Sequence, residues 1–202
     1  MTDAPAPVAR VAKLMATFRP RWALCGGWAI DAWRGSQSRD HGDVDIVVFH
    51  DDQGALFEHL AGWRLVAHDA KVSDDTTERW DGRRLELPAH IHATDEDGFE
   101  LEVLLNESTG TEWVLSREPR IAVPLRECVR RSGWRVPTVL PGLLAFYKAT
   151  AYFADASQGH RFEQDEADFR ALLPHLPAES HKWLHGTVGM LHPGHPWLAS
   201  LV

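Results

Sequence analysis

Hydrophobic and polar residues alternate along several segments of this chain, and the alternation predicts short β-strands. The clearest segment runs from Asp43 to Phe49, where β-branched residues form an apolar run typical of a strand entering a core. The turn signal at residues 95–98 lies between two strand-like segments and predicts a hairpin. The other predicted strands cover residues 22–25, 62–68, 85–94 and 99–105.

Helices are predicted where apolar residues recur with a helical period, or where a capping residue precedes an apolar segment. In the N-terminal part they cover residues 8–18, 27–34 and 52–60, with polar loops at 36–42 and 73–81. In the C-terminal part they cover residues 139–153, 165–173 and 181–191. We therefore predict an α/β (α+β) fold, with an α/β domain in residues 1–136 and a helical region in residues 137–202. The cleft between the two parts is the expected binding site, because ligand pockets favour such junctions.

Two carboxylates stand at the start of the clearest strand. Side chains alternate across a strand, so Asp43 and Asp45 share one face, about 7 Å apart along it, while Val44 and Ile46 point to the other face. Neighbouring carboxylates raise each other's pKa unless a cation lies between them. Mg²⁺ is the natural candidate, because it binds one or two carboxylates together with substrate phosphates.

A glycine pair, Gly26 and Gly27, lies between a short apolar strand and a predicted helix. Glycine allows backbone N–H groups to approach an anion closely, and a helix N-terminus attracts that anion. Each half of the pattern is common by itself. The order strand, Gly-Gly, helix, loop and Asp-x-Asp strand predicts a site for a metal-bound nucleoside triphosphate.

The segment Gly26–Asp31, followed by Gly35, Arg39, His41, Asp43 and Asp45, resembles the opening motif of the nucleotidyltransferase superfamily. The nearest branch contains the aminoglycoside 2″-adenylyltransferases and the lincosamide nucleotidyltransferases. The resemblance implies a mixed sheet flanked by helices, a helical C-terminal region, and residues 1–136 as the catalytic domain. It continues in residues 99–105, 113–121, 143–148, 165–169 and 193–198.

The same resemblance implies a metal site that holds one or two Mg²⁺ ions. Asp43 and Asp45 would be metal ligands, and Glu102 would complete the site or act as general base. Glu102 lies on a predicted strand that can run beside the Asp45 strand. Glu100 has the same facing and remains an alternative.

The nucleotide phosphates would lie against the glycine pair and nearby cationic side chains. Arg39 would offset the charge that develops during transfer, and His41 would contact a phosphate or pack within the loop. Lys148 stands on an otherwise apolar helix and should reach a phosphate or pair with Asp165 or Asp168, because an unpaired buried ammonium is costly. The arginine-rich residues 117–135 are expected to form a solvated basic face, with nucleotide contact through Arg117 or Arg120 as the alternative.

The composition is that of a soluble globular protein, with 44% hydrophobic and 25% charged residues. The formal net charge of −8 argues against nucleic acid as a partner and suits a small cationic acceptor. Cys25 and Cys128 are too few for a disulfide framework, so we expect a cytoplasmic protein. No signal-peptide pattern and no apolar run of membrane-spanning length is found, so no membrane partner is expected.

The histidines provide little sign of a second metal site. His90 and His92 fit one strand face, and His181 and His185 fit one helix face. Neither pair has a cysteine or an acidic partner at ligand spacing, so no histidine metal site is expected.

The leading hypothesis is a Mg²⁺-dependent nucleotidyltransferase that moves AMP from ATP to a hydroxyl of an aminoglycoside-like or lincosamide-like acceptor. The first alternative is a toxin–antitoxin-type nucleotidyltransferase acting on a protein or a transfer RNA, and the net acidity weighs against RNA. The second alternative is a nucleotide-binding protein without activity, and the presence of all three acidic residues weighs against it. Within a shared fold the acceptor pocket varies, so the sequence leaves the acceptor and the oligomeric state open.

Overall fold

The computed structural model describes residues 3–71, 76–154 and 159–201. Its helices are α1 (Ala6–Leu14), α2 (Gly26–Arg34), α3 (Gln53–His59), α4 (Pro141–Ala154), α5 (Gly159–Leu172) and α6 (Ala178–Leu191). Its longer strands are β2 (Val44–Phe49), β3 (Arg64–His68), β4 (Ala89–Thr94) and β5 (Glu100–Ser108). Its three-residue strands are β1 (Trp22–Leu24), β6 (Glu112–Val114), β7 (Ala122–Pro124), β8 (Val129–Arg131) and β9 (Pro137–Val139).

The strands form one mixed sheet, as expected. Within the described ranges it has nine strands, seven of them in the order β3-β4-β5-β2-β1-β9-β8, while β6 pairs with β5 and β7. Strands β2 and β5 are parallel, as are β1 and β9. Strand β4 pairs antiparallel with both β3 and β5, so β3, β4, β5 and β2 lie side by side.

Strand β2 enters the core with the alternation that its sequence predicts. Val44, Ile46 and Val48 are at most 1% exposed and form part of the hydrophobic core. Asp45 therefore points to the opposite face, together with Val47 and Phe49. The face of β2 that bears Val44, Ile46 and Val48 packs into the core, so the opposite face can present Asp45 to a ligand.

Helix α2 begins and ends at glycines with left-handed backbone angles. Gly26 has a φ of +61°, and Gly35 ends the helix with a φ of +81°. The N–H of Gly35 donates to the carbonyl oxygen of Asp31 at 2.8 Å, which satisfies one carbonyl of the last turn. The predicted end of this helix at Gly35 is confirmed.

Two parts of the predicted secondary structure need correction. The strand predicted at residues 85–94 begins only at Ala89, because the N–H of Leu85 donates to the Gln53 side chain at 2.7 Å and Pro88 has no N–H to give. No strand is predicted in residues 117–135, but the structure has β7 and β8 there. Each has only three residues, too few to show an alternation of apolar and polar positions. Of the loop predicted at residues 73–81, residues 76–81 form no helix or strand, and 73–75 lie outside the described residues.

The three predicted C-terminal helices are present, and α4 packs against α5, α6 and α2. The sheet extends slightly beyond residue 136, because β9 pairs with β1. The division at residues 136 and 137 stays a prediction. Among the helices of the described ranges, none combines the length and apolar character needed to cross a bilayer.

Candidate functional site

Three carboxylates meet on one face of the sheet. Asp43 directly precedes β2, Asp45 lies within β2, and Glu102 lies on the neighbouring strand β5. Asp45 and Glu102 stand opposite each other in the parallel register, and carboxylate oxygens of the three residues lie within 4.8 Å of one another. Glu100, the alternative to Glu102, pairs instead with Thr94 and is exposed. The structure therefore brings Glu102 to the two aspartates and leaves Glu100 outside the cluster.

The carboxylate cluster is short of positive charge. Burial raises the pKa of Asp45 to about 7, and the charges of Asp43 and Glu102 and a hydrogen bond with Glu102 act in the same direction. Lys148 acts in the opposite direction without reversing the shift. A divalent cation would relieve this repulsion, and an all-oxygen donor set is the kind that Mg²⁺ and Mn²⁺ prefer.

The glycine pair lies directly against the cluster. A Cβ atom on Gly26 would overlap the carboxylate of Asp45, and a Cβ atom on Gly27 would come within 2.5 Å of the His41 ring and 2.7 Å of Arg39. The N–H of Cys25 donates to the carbonyl oxygen of Asp45 at 2.9 Å and joins this turn to β2. The absence of a side chain at both positions therefore allows Asp45, His41 and Arg39 to lie directly against the start of α2.

A buried aspartate on α2 holds the loop that leads to Asp43. Asp31 is 0% exposed, accepts hydrogen bonds from the hydroxyl and the N–H of Ser38 at 2.5 and 3.0 Å, and lies 2.7 Å from Nε2 of His41. Burial alone would raise the pKa of Asp31, but the Ser38 and His41 hydrogen bonds outweigh it and lower the pKa. Trp28 packs on the His41 ring and donates from Nε1 to the carbonyl oxygen of Asp43 at 3.0 Å. Asp31 therefore acts as the hydrogen-bond partner that fixes His41.

The predicted cations are tied to helix α5. Nζ of Lys148 lies 2.8 Å from Asp165 and 2.9 Å from Asp168, and Arg39 lies 3.8 Å from Asp168. Burial alone would lower the pKa of Lys148, but Asp168 and Asp165 outweigh it and raise the pKa. Of the two alternatives for Lys148, the structure shows the ion pair. These contacts join α4, α5 and the loop before β2 around the carboxylate cluster.

Comparison with known protein families shows which family the chain belongs to. A sequence model of the aminoglycoside-2″-adenylyltransferase family matches residues 7–122, more than half of the chain. The chain belongs to this family. A search of curated proteins finds no significant match. The expected resemblance to this branch, and with it the expectation of a nucleotidyltransferase, is confirmed.

Solved structures of adenylyltransferases share the fold of this family member. The solution structure of the antibiotic-resistance factor ANT(2″)-Ia is 15% identical with a TM-score of 0.62, covering 92% of this chain and 91% of that chain. ANT(2″)-Ia in complex with adenylyl-2″-tobramycin is 17% identical with a TM-score of 0.60, covering 92% and 96%. The lincosamide antibiotic adenylyltransferase LnuA with bound lincomycin is 15% identical with a TM-score of 0.53, covering 85% and 98%. At these identities the likeness establishes the fold.

One feature of this adenylyltransferase family member has no signal in its sequence. The side-chain oxygen of Asn106, at the far end of β5, accepts hydrogen bonds from Nε1 of Trp113 at 2.8 Å and the hydroxyl of Tyr147 at 2.6 Å. Asn106 and Tyr147 line a cavity of about 720 Å³ that also borders Val47 and Phe49 on β2. The cavity thus lies further along the two strands that bear Asp45 and Glu102.

Proposed function

We propose that the protein is a Mg²⁺-dependent adenylyltransferase that moves AMP from ATP to a hydroxyl of a small acceptor. One observation carries the proposal: the carboxylates of Asp43, Asp45 and Glu102 converge within 4.8 Å beside the two glycines that begin α2. Membership of the aminoglycoside-2″-adenylyltransferase family supports it.

Asp43, Asp45 and Glu102 would hold one or two Mg²⁺ ions. Their donor atoms are all oxygens, and the raised pKa of Asp45, caused by burial and by the two neighbouring carboxylates, marks a site that a cation would stabilise. Bound there, Mg²⁺ would supply Lewis-acid stabilisation of the charge on the reacting phosphate oxygens.

The chain's own residues would bind and orient the triphosphate. Because Gly26 and Gly27 lack side chains, Asp45, Arg39 and His41 lie against the start of α2, so phosphates bound at these residues would lie near the N–H groups of its first turn. Arg39 would offset negative charge on the leaving pyrophosphate, while His41, fixed by Asp31, would position the loop or donate to a phosphate oxygen. Lys148 would reach a phosphate by exchanging one of its two carboxylate partners.

Glu102 has two roles open to it, as a metal ligand or as the base that takes the acceptor's proton. The variant Glu102→Gln separates them, because the amide keeps the size of the side chain and loses its charge. Retained Mg²⁺-dependent ATP binding with lost turnover favours the base. Loss of that binding favours the ligand role.

The acceptor would occupy the cavity beyond Asp45 and Glu102. Its walls combine aromatic and apolar side chains with four arginines, Arg21, Arg126, Arg131 and Arg135. This charge favours a weakly cationic lincosamide-like acceptor over a polycationic aminoglycoside, and both classes are compared in the test below. The solved structures of the same fold with adenylyl-2″-tobramycin and with lincomycin indicate which two classes to test first.

Mass spectrometry of the acceptor tests the proposal. The protein is incubated with Mg²⁺, each nucleoside triphosphate in turn, and a panel of aminoglycosides and lincosamides. A mass gain of one nucleoside monophosphate that requires both Mg²⁺ and Asp43 supports the proposal and names the acceptor. ATP binding without transfer to any member of the panel would contradict the antibiotic acceptor and leave the metal site in place.

A further inference from the structure

Three histidines converge on the sheet surface beside the carboxylate cluster. His90 and His92 lie two residues apart on β4, and His68 at the end of β3 stands opposite His90 in the antiparallel register. The three rings form a nearly equilateral triangle, with centroids 4.8 Å apart for His68 and His90, 5.2 Å for His68 and His92, and 5.1 Å for His90 and His92. The sequence lacked a third ligand for the His90 and His92 pair, and β3 supplies it.

The imidazole nitrogens are close enough for one metal ion. One ring nitrogen from each of the three residues lies within 4.8 Å of the other two. A tetrahedral metal bound to nitrogens at about 2.0–2.1 Å holds those nitrogens about 3.3 Å apart. Side-chain rotation can close this difference, because His92 is exposed and His90 is half-buried, while the buried His68 provides a fixed point.

We propose that His68, His90 and His92 form a second metal site that prefers Zn²⁺ or a similar transition-metal ion over Mg²⁺. Imidazole ligands suit Zn²⁺, Cu²⁺, Ni²⁺ and Co²⁺, whereas Mg²⁺ prefers oxygen ligands. Three protein ligands would leave at least one coordination position for water or another ligand, since structural zinc sites use four. The proposal goes beyond the adenylyltransferase function and does not depend on it.

The second site would lie next to the first one. His92 stands opposite Glu102 across β4 and β5, and Glu102 stands opposite Asp45 across β5 and β2. Neighbouring strands are about 4.8 Å apart, so one row of side chains runs from the histidines to the carboxylate cluster. The sheet face would thus present a nitrogen-lined site beside an oxygen-lined site, each matched to a different class of metal.

Metal binding requires one rearrangement that can be observed. The rings of His68 and His90 are stacked with an interplanar angle of 15°, and parallel stacked rings cannot both direct a lone pair at one point. Rotation of His90 about its Cβ–Cγ bond would open the stack. We therefore expect the ring resonances of His68 and His90 to shift together when Zn²⁺ is added.

Cobalt substitution tests the site with a readout independent of activity. A tag-free chain is titrated with Co²⁺ and then with Zn²⁺, because tetrahedral Co²⁺ on nitrogen ligands absorbs visible light much more strongly than octahedral Co²⁺ on oxygen ligands. One equivalent of strongly absorbing Co²⁺ per chain, displaced by Zn²⁺ and not by Mg²⁺, is the expected result. Affinity should fall at least tenfold in His90→Ala and in the exposed His92→Ala.

Two control variants locate the bound ion. The double variant His181→Ala/His185→Ala removes the other closely spaced histidine pair and should leave Co²⁺ affinity unchanged. Asp43→Asn weakens the carboxylate site and should also leave it unchanged. Absence of the strong absorption, affinity unaffected by His90→Ala and His92→Ala, or an equal loss in Asp43→Asn would each overturn the proposal.

Discussion

Glu102 on β5 lies directly opposite Asp45 on β2, and their carboxylate oxygens lie within 4.8 Å of each other and of Asp43. Burial and the charges of Asp43 and Glu102 raise the pKa of Asp45 to about 7, so this carboxyl group keeps its proton to a higher pH than an unfolded aspartate does. Asp45 would have to lose that proton when a divalent cation binds. Cation binding and proton release are therefore coupled at this position.

Replacing Asp45 should stabilise the metal-free protein, and the gain should depend on pH. Burial and the neighbouring carboxylates raise the pKa of Asp45 to about 7, against about 3.9 for an unfolded aspartate. Between these values the folded state binds more protons, so the contribution of Asp45 to stability falls as pH rises from about 4 to 7. In EDTA at pH 8, Asp45→Asn should therefore unfold at a higher temperature than the wild type, with a gain of roughly a few kcal/mol. The gain should shrink below pH 6, and equal unfolding temperatures at pH 8 would count against the charge repulsion.

Gly26 should be required for activity beyond its effect on stability. Gly26→Ala strains a backbone with φ of +61° and places a methyl group against Asp45, whereas Gly98→Ala strains a φ of +80° in open space. Backbone strain should cost each variant roughly 1–2 kcal/mol of stability, and Gly26→Ala should lose more because its methyl group also overlaps Asp45. Gly26→Ala should lower kcat/KM on the order of 100-fold through displacement of the carboxylate, while Gly98→Ala keeps it. Similar kcat/KM values in the two variants would show that the start of α2 does not shape the site.

Sequence patterns within a single segment predict the structural features that depend on that segment alone. The alternation around Asp45 and the facing of Glu102 follow from the two-residue period of a strand, and the helix end at Gly35 follows from a backbone angle that glycine tolerates. These features can be predicted without knowing which segments lie next to each other in the fold. They cover β2 and α2, whereas the place of Glu102 beside the two aspartates is implied by the family resemblance, because Glu100 has the same facing.

Contacts between distant segments lie beyond such patterns. Strand order and register decide that His68 stands opposite His90. The sequence offers a phosphate contact or an ion pair for Lys148, and helix packing decides for the pair with Asp165 and Asp168. The repeat of apolar positions along a strand or helix predicts which face a residue lies on. It does not predict which residue of the adjacent element lies next to it. Strands of three residues, such as β8, are too short to show the alternation of apolar and polar positions that predicts a strand.

Asp31 should position His41 rather than contact substrate. Asp31→Asn removes the charged partner of His41, and we expect a loss of about 1–3 kcal/mol of stability and a lower kcat/KM. The Ser38 and His41 hydrogen bonds outweigh burial and lower the pKa of Asp31, so its stabilising contribution is complete above about pH 4 and is lost as pH falls through the folded pKa. The stability difference between the wild type and Asp31→Asn should therefore narrow in acid. A difference that stays constant down to pH 2 would contradict this role.

Variants of Lys148 should show whether this residue contacts a nucleotide phosphate in addition to its ion pairs with α5. Lys148→Ala leaves the two buried carboxylates of Asp165 and Asp168 without their cation and should destabilise the protein by a few kcal/mol. Adding Asp165→Asn and Asp168→Asn should restore most of that stability. A KM for ATP that stays raised in the triple variant indicates a phosphate contact, and full recovery of KM indicates that the ion pairs are its whole role.

Pyrophosphate release by two matched aspartate variants tests the central account most directly. Asp43→Asn removes one charge from the carboxylate cluster, and Asp40→Asn removes one from the exposed loop three residues earlier. With ATP, Mg²⁺ and the acceptor identified by mass spectrometry, Asp43→Asn should lower turnover by at least about 100-fold while Asp40→Asn stays close to the wild type. Equal turnover in the two variants would contradict a reaction centred on Asp43, Asp45 and Glu102.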